Sequence, residues 1–300
     1  MHRVSSPVDV SIVLPVYNET GHIEEEVNRI KASMEASRFS YEIVLVDDGS
    51  TDDTPKKLAG LEGGPVRVIT LLQNKGAGNG RRVGTRAAVG EYVVWSDADM
   101  SYPNDKVPQL IEDLQGYDQV VGARMTEEGT LKALRVPAKW FIRKLACYLT
   151  QTKIPDLNSG FRAFRRQSVL PFLYLLPNGF SCVTTITLCY LSNGLNVRYV
   201  PIEYKTRAGT SKFHWRKDTY RYGLQVVRMV MSYNPLRVFM PLGLTLLFVA
   251  LGKGIYDLFA HDLRITANTI VATFTAFQLL AIGLLADLVV RVTAPRGDVS

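Results

Sequence analysis

Short apolar runs rich in β-branched residues alternate with longer stretches of helical periodicity over the first two hundred positions. The strand candidates, in chain order, are Val10–Val16, Glu42–Asp47, Val66–Leu72, Glu91–Ser96, Gln119–Ala123 and Val197–Tyr204. The helix candidates between them include His22–Ser37, Gly80–Val89, Lys106–Leu114 and Pro137–Thr152. Alternation of this kind is typical of a mostly parallel sheet with helices on both faces. The pattern therefore predicts an α/β domain over residues 1–214, with ligands bound beyond the carboxyl ends of its strands.

The hydrophobic pattern changes after about residue 235. Leu236–Tyr256 and Thr269–Val290 are each about twenty residues long, roughly the length of a helix that crosses the hydrocarbon core of a bilayer. A buried helical hairpin of a soluble protein is the alternative, but the length of both runs and their near lack of charge favour two transmembrane helices within residues 235–292.

Positive charge predicts how this helix pair is oriented. Eight Lys or Arg residues lie between Lys205 and Arg237, whereas the loop between the two apolar runs carries only Arg264. Positive residues accumulate on the cytosolic side of membrane proteins. We therefore expect the α/β domain and a short tail at 293–300 to lie in the cytosol, at a bacterial inner membrane rather than the endoplasmic reticulum.

Residues 215–234, between the domain and the apolar runs, mix basic side chains with apolar and aromatic ones. A basic amphipathic helix lies well among lipid headgroups, so this segment predicts a juxtamembrane helix in contact with the bilayer. An ordinary surface helix is the alternative interpretation.

Composition narrows the function classes only slightly. Apolar residues make up 47% of the chain and charged residues 21%, which excludes a disordered protein. The net charge of +7 suits phosphate ligands, nucleic acid or an anionic membrane surface. No helix-turn-helix, zinc or RNA-binding signature is present, and the basic residues cluster beside the apolar runs, so we expect no nucleic-acid partner. The three cysteines lack metal-site spacing and predict reduced core residues.

The clearest chemical signal is the pair Asp97 and Asp99, which follows the fourth strand candidate. Two carboxylates at a strand end can share a divalent metal with a substrate diphosphate, because Mg²⁺ is usually held by one or two carboxylates together with phosphate oxygens. Such a metal neutralises charge on a departing nucleoside diphosphate. We expect Mg²⁺ or Mn²⁺ as the cofactor.

Polar signatures also end the preceding strands. They are the motifs Pro15-Val16-Tyr17-Asn18-Glu19, Asp47-Asp48-Gly49-Ser50 and Asn74-Lys75-Gly76-Ala77-Gly78. The glycine-rich motif is not a complete dinucleotide fingerprint, because Arg81 interrupts it, and a tight strand–helix turn is the favoured interpretation.

In this order, the four signatures resemble family 2 glycosyltransferases with a GT-A fold. The motif from Asp156 to Arg162, the segment Arg207–Lys212 and the two apolar runs resemble the branch of dolichol-phosphate mannosyltransferases and bacterial polyprenyl-phosphate glycosyltransferases. Together these features extend over nearly the whole chain.

The resemblance implies a role for several residues. In the donor site, Pro15, Tyr17, Glu19 and Asp47 hold the nucleoside, Asp97 faces the ribose and diphosphate, and Asp99 is the principal metal ligand. Arg207 and Lys212 close over the diphosphate from a loop. Arg124 and Arg143 bind the acceptor phosphate, with Arg135 as a rival to Arg143. Ser101 is the third candidate metal ligand; it stands where many members have a glutamine or similar polar residue and is a shorter and weaker ligand, which leaves the metal preference open.

The residues independently favour a phosphate acceptor. A sugar hydroxyl needs a general base, whereas a phosphate monoester, with a second pKa of about 6, is already largely ionised at neutral pH. The chain has four histidines, none in a recognisable catalytic setting, but many cations follow the strands. These cations are Arg124, Arg135, Lys139, Arg143, Arg162, Arg207 and Lys212.

We therefore expect inverting transfer of one sugar from a UDP- or GDP-hexose to a polyprenyl phosphate. Transfer to a hydroxyl of a glycolipid or polysaccharide, with Asp156 as base, is one alternative. A non-catalytic membrane scaffold that binds sugar nucleotides is another. The sequence leaves the sugar, the base and a homo-oligomeric state open.

Overall fold

A computed structural model describes residues 8–124, 143, 144, 146–148, 150–205, 224, 227, 228, 231, 234–260 and 264–293. The chain divides into two compact units, residues 1–226 and 227–300, which we describe separately.

The described part of the first unit contains a seven-stranded sheet in the order β3-β2-β1-β4-β6-β5-β7. Its strands are β1 Val10–Val16, β2 Tyr41–Asp47, β3 Val66–Thr70, β4 Tyr92–Trp95, β5 Gln119–Arg124, β6 Arg162–Arg165 and β7 Val197–Ile202. β6 runs antiparallel to both of its neighbours, and the other pairs are parallel. The predicted mostly parallel sheet is confirmed. The sequence did not predict β6, because its residues Arg-Ala-Phe-Arg place only two apolar positions between two arginines and form no apolar run.

Helices cover both faces of this sheet. They are α1 Ile23–Glu35, α2 Thr54–Leu61, α3 Ala77–Ala87, α4 Val107–Glu112, α5 Arg166–Val169 and α6 Cys182–Ser192, with 3₁₀ turns at Asn104–Lys106 and Leu170–Leu175. Side chains alternate across each strand. Ile12 and Leu14 of β1 therefore pack in a core with α1 and α4, while Val13 packs in a second core with α6.

Two glycines let α3 approach the sheet closely. A Cβ atom on Gly84 would lie 2.4 Å from Cγ1 of Val13, and one on Gly80 would lie 2.9 Å from Cβ of Pro15. Larger residues would push the helix away from β1. The glycines therefore hold the beginning of α3 beside the carboxyl end of β1.

The second unit contains the long helices α7 Leu236–Ala260 and α8 Ala267–Thr293, which pack against each other. Both are long and apolar enough to cross a membrane, with mean hydropathies of 1.9 and 2.0. Close packing involves small residues, because a Cβ on Gly243 would lie 2.7 Å from Leu280 and one on Gly283 would lie 2.6 Å from Phe239. Many large apolar side chains point outward, as expected for helices surrounded by lipid.

A polar cluster joins the two helices near the turn between them. The Asp257 carboxylate is buried and accepts hydrogen bonds from Nζ of Lys253 at 3.0 Å and from the hydroxyls of Thr266 and Thr269 at 2.6 Å each. It also accepts the backbone N–H of Thr266 at 3.0 Å, at the beginning of α8. A carboxylate at a helix N-terminus satisfies unpaired N–H groups and complements the helix dipole.

The predicted juxtamembrane helix at 215–234 lies largely outside the described residues. Leu224, Val227, Arg228 and Met231 are described, and each is helical. The domain boundaries at 214, 234 and 292 stay predictions.

Candidate active site

A cavity of about 460 Å³ lies at the carboxyl ends of β1, β2 and β4. Its lining residues are Pro15, Val16, Tyr17, Glu19, Asp48, Asn74, Gly76, Ala77, Asp97, Ala98, Asp99 and Phe180. The structure therefore brings together five predicted donor-site residues, whereas Asp47 is buried at the end of β2 and is not among the lining residues. Parallel pairing of the strands places their carboxyl ends at one edge and explains this arrangement.

The turns after β1 and β2 hold each other in place. Asn18 adopts a left-handed backbone conformation with φ of 54°, which asparagine tolerates better than most residues. Its N–H donates to the hydroxyl of Ser50 at 3.0 Å, and the N–H of Glu19 donates to the hydroxyl of Thr54 at 3.0 Å. These bonds position Tyr17 and Glu19 at the cavity.

The neighbouring carboxylates Asp47 and Asp48 have different contacts. Asp48 accepts the N–H groups of Lys75 at 3.0 Å and Gly76 at 2.6 Å, so it shapes the loop before α3. Asp47 is 1% exposed, and its Oδ1 accepts the N–H of Ser50 at 2.9 Å. Its Oδ2 has no hydrogen-bond partner within the described part of the chain. Such a buried acceptor is destabilising unless a ligand supplies a donor.

Asp97 and Asp99 follow β4 and line the cavity together. Oδ1 of Asp99 accepts both the hydroxyl and the N–H of Ser101, and the chain turns between them at Met100, whose φ is 60°. Ser101 is buried and orients Asp99 through this contact. Its predicted role as a metal ligand stays a prediction.

The donor set fits a divalent ion held jointly with a diphosphate. Across the residues that the structure describes, no group of three or more His, Cys, Asp or Glu side chains forms a closed metal site. Asp97 and Asp99 offer hard carboxylate oxygens at one cavity. This is the arrangement that Mg²⁺ or Mn²⁺ uses when phosphate oxygens and water complete the coordination.

Arg81 of α3 is a site residue that the sequence did not predict. It donates a hydrogen bond from Nη2 to Oδ1 of Asp97 at 2.5 Å, and its Nη1 lies 3.6 Å from Sγ of Cys182. Burial opposes its charge, but the Asp97 carboxylate outweighs this effect and raises the pKa of Arg81 above its ordinary value. In the sequence, Arg81 was only the residue that interrupts a glycine pattern.

Arg124, the predicted acceptor-phosphate ligand, forms an ion pair at the end of β5. Its Nε and Nη2 donate to Asp156 at 2.7 and 3.0 Å, and the guanidinium lies 5.1 Å from the ring centroid of Tyr204. Burial would raise the pKa of Asp156, but the Arg124 pair and the N–H of Asn158 hold it below its ordinary value. Asp156 is therefore a poor general base at neutral pH.

The other predicted cations are placed differently. Arg143 is exposed, and it donates a hydrogen bond to the carbonyl of Pro155 at 3.3 Å. Pro155 directly precedes Asp156, the carboxylate that binds Arg124. Arg135, Arg207 and Lys212 lie outside the described residues.

Arg162 does not fit the expectation of a cation available to phosphate. It is fully buried in β6 and donates to the carbonyls of Ser159 and Leu157 and to the hydroxyl of Thr187. Burial lowers the pKa of Arg162 to about 10. This side chain holds the loop before β6 and is shielded from any ligand in solution.

Phe180 is a further lining residue that the sequence did not reveal. The segment that precedes it is fastened to α3, because the carbonyl of Asn178 accepts the N–H of Gly78 at 2.7 Å. Arg82 adds hydrogen bonds to the carbonyl of Leu176 at 3.0 Å and to Oδ1 of Asn178 at 2.8 Å. Phe180 therefore sits at the cavity on an anchored segment.

Comparison with known proteins agrees with this geometry. The family model "Glycosyl transferase family 2" matches residues 11–170, and "GtrB C-terminal hairpin" matches residues 234–292. An undecaprenyl-phosphate 4-deoxy-4-formamido-L-arabinose transferase of Enterobacter sp. is 27% identical, covering 97% of this chain and 91% of that protein. A dolichol-phosphate mannosyltransferase of Pyrococcus furiosus is 32% identical, covering 74% of this chain and 63% of that protein.

Solved structures agree on the fold. Glucosyl-3-phosphoglycerate synthase from Mycobacterium tuberculosis, in complex with Mn²⁺, UDP-glucose and phosphoglyceric acid, superimposes with a TM-score of 0.57 at 20% identity. The match covers 75% of this chain and 79% of that one. The chain belongs to glycosyl transferase family 2, and it is a glycosyltransferase of the GT-A fold with two C-terminal helices long and apolar enough to cross a membrane.

Proposed function

We propose that this enzyme transfers a single sugar from a UDP- or GDP-hexose to a polyprenyl phosphate, with inversion at the anomeric carbon. The observation that carries the proposal is the presence, in one chain, of a carboxylate-lined cavity at the strand ends and an apolar helical hairpin. Relatives named for transfer to undecaprenyl and dolichol phosphates support it.

The nucleoside would occupy the part of the cavity near β1 and β2. Tyr17 and Glu19 line it, and their turn is held by the hydrogen bonds to Ser50 and Thr54. Oδ2 of Asp47 is an acceptor without a partner in the described residues, which suits an N–H group on the edge of a base. Binding would then satisfy a group that is unpaired without ligand.

Asp97 and Asp99 would hold a divalent ion on the donor diphosphate. When bound, that ion supplies Lewis-acid stabilisation of the leaving nucleoside diphosphate. Ser101 keeps Asp99 oriented, and Arg81 holds Asp97 through a hydrogen bond. Arg207 and Lys212 would add positive charge to the same leaving group.

The acceptor phosphate needs positioning more than activation, because it is already an anion at neutral pH. Arg124 and Arg143, with Arg135 as a rival to Arg143, would hold it opposite the leaving group. A hydroxyl acceptor would instead require a general base. Asp156, the candidate, is engaged by Arg124 and has a lowered pKa, which favours the phosphate acceptor.

The polyprenyl chain would lie along the hairpin and the segment at 215–234, with the catalytic unit on the cytosolic side. The excess of Lys and Arg before α7 supports this orientation. In a bacterial inner membrane, the product would serve as a lipid-linked sugar donor for the cell envelope or for protein glycosylation.

A transfer assay tests the proposal. Detergent-purified enzyme is incubated with Mg²⁺ or Mn²⁺, a panel of labelled UDP- and GDP-sugars, and either polyprenyl phosphate or the matching polyprenol without phosphate. We expect label in an organic-extractable, mild-acid-labile lipid only with the phosphorylated acceptor. Transfer to the polyprenol, or no lipid product from any donor that still binds, would contradict the phosphate acceptor.

A further inference from the structure

We infer that Arg81 is a positioning residue that holds Asp97 as a metal and diphosphate ligand without itself touching the donor. The inference rests on the proposed use of Asp97 in the donor site. Arg81 lies on the protein side of Asp97: its side chain is 2% exposed, whereas the Asp97 side chain is 28% exposed and lines the cavity. Any effect of Arg81 on a bound donor must therefore pass through Asp97.

The guanidinium of Arg81 is held from several directions. It lies 5.9 Å from the ring centroid of Trp95, and Nη1 contacts Cys182. The Trp95 ring is fixed in turn, because its Nε1 donates to the hydroxyl of Thr85 at 2.8 Å, and that hydroxyl donates to the carbonyl of Arg81 at 2.7 Å. A rigid partner of this kind limits the rotamers of the carboxylate that it binds.

Gly160, in the loop before β6, leaves the room that this pair occupies. A Cβ at this position would lie 2.9 Å from Nη2 of Arg81 and 3.2 Å from Oδ2 of Asp97. Substitution of Gly160 by alanine would therefore displace the ion pair while both charges are kept. This residue offers a way to test geometry separately from charge.

The experiment compares Arg81→Met, Arg81→Lys and Gly160→Ala with the wild type, and Arg86→Met, which removes an exposed arginine of the same helix α3, serves as the control. Binding of Mn²⁺ is titrated by electron paramagnetic resonance with saturating UDP and, separately, GDP. Folding is followed by thermal unfolding and size-exclusion chromatography. We expect Arg81→Met to weaken Mn²⁺ binding by about 10-fold or more, the range seen when outer-shell partners of metal ligands are lost.

Arg81→Lys and Gly160→Ala should weaken Mn²⁺ binding by smaller factors, and Arg86→Met should leave it within about 2-fold of the wild type. A purely structural role would lower the unfolding temperature without changing the Mn²⁺ affinity of the folded protein. Wild-type affinity in folded Arg81→Met would overturn the inference. If that variant does not fold, wild-type affinity in both Arg81→Lys and Gly160→Ala would do so.

Because the experiment measures Mn²⁺ affinity, a failure of this inference can be distinguished from a failure of the proposed polyprenyl-phosphate acceptor. If the wild type binds Mn²⁺ with nucleotide but makes no lipid-linked sugar, the acceptor proposal fails and the comparison of variants still decides the role of Arg81. Absence of Mn²⁺ binding by the wild type with either nucleotide would overturn the inference directly.

Discussion

The two halves of the sheet use their charged residues in different ways. In the half formed by β3, β2, β1 and β4, the carboxylates Asp48, Asp97 and Asp99 stand at strand ends and line the cavity. In the half formed by β6, β5 and β7, Arg124 is paired with Asp156 and Arg162 is buried among backbone carbonyls. The carboxylates of the first half therefore line the cavity while protein donors hold them, whereas the arginines of the second half bind acceptors of the protein itself.

The largest expected effect is on sugar transfer, and it concerns the half of the sheet whose strand ends line the cavity. Substitution of Asp99 by alanine should reduce sugar transfer by about 1000-fold or more, because several kcal/mol of leaving-group stabilisation are lost. The unfolding temperature should change little. Transfer of labelled sugar into lipid measures the effect, and Asp53→Asn, which alters an exposed carboxylate beyond β2, is the matched control. Near-native activity of Asp99→Ala would rule out the metal assignment.

The next effect is on stability, and it concerns the half of the sheet formed by β6, β5 and β7. Substitution of Arg162 by methionine leaves the carbonyls of Ser159 and Leu157 and the hydroxyl of Thr187 without their donor. We expect the free energy of unfolding to fall by about 3 kcal/mol. Denaturant unfolding checks this, with Arg165→Met as control, because the contacts of Arg165 with Glu91 and with the Tyr92 ring, 5.9 Å from its guanidinium, lie at the surface. An unchanged stability would mean that Arg162 is not a structural residue.

Asp156→Asn should lower the free energy of unfolding by about 2 kcal/mol at pH 7, because the ion pair with Arg124 is largely buried. This effect is somewhat smaller than that of Arg162→Met. The folded pKa of Asp156 is depressed, so its contribution is full above the unfolded pKa of about 3.9 and is lost as the pH falls through the folded value. The stability difference between wild type and variant should therefore shrink below about pH 4.

Unfolding curves between pH 3 and 7 measure this dependence. The control is Asp113→Asn, which breaks a more exposed pair with Arg198 and should change stability by less than about 1 kcal/mol. A difference that does not depend on pH would contradict the ion pair as its source.

The smallest expected effect is on stability, and it concerns a buried carboxylate of α1, the helix that packs against β1 and β2. Glu26 of α1 is fully buried, and its Oε2 has no hydrogen-bond partner in the described residues. Burial raises its pKa, so the ionised form destabilises the fold at high pH. Glu26→Gln should add about 1 kcal/mol of stability at pH 8, and the gain should vanish below about pH 4.

Thermal unfolding at these two pH values checks the prediction. Glu25→Gln, on the exposed face of the same helical turn, should change stability by less than about 0.5 kcal/mol. A loss of stability in Glu26→Gln at pH 8 would show that the ionised carboxylate is favourable.

The sequence predicted the cavity half well, because hydrophobic alternation and strand-end motifs are local signals. β1 has the predicted bounds, and Asp97 and Asp99 lie where their motif placed them. Contacts over long sequence separations had no such signal. Arg81 meets Asp97 across 16 residues and Cys182 across 101. Nothing in the order of residues distinguishes such a buried arginine from a solvated one.

The burial of Arg162 and the place of Phe180 at the cavity also depend on contacts that the sequence does not signal. Arg162 is the last residue of a motif that resembles a functional one, but its exposure depends on the carbonyls that fold around it. Phe180 reaches the cavity only because the segment before it binds the beginning of α3. The Arg162 side chain donates to carbonyls three and five residues away and to the hydroxyl of Thr187, and the segment before Phe180 is bound to α3 through backbone hydrogen bonds. Residue type alone carries little information about which of these bonds form.

The distance along the chain between Asp99 and Phe180 has a consequence for biosynthesis. Ribosomes add roughly 5–20 residues per second, so the first four strands leave the exit tunnel several seconds before the segment that carries Phe180. In that interval the parallel half of the sheet would carry its acidic strand ends with neither Gly160 beside Asp97 nor Phe180 at the cavity. Competence to bind a donor would therefore arise late in translation, shortly before the ribosome begins to make the apolar hairpin.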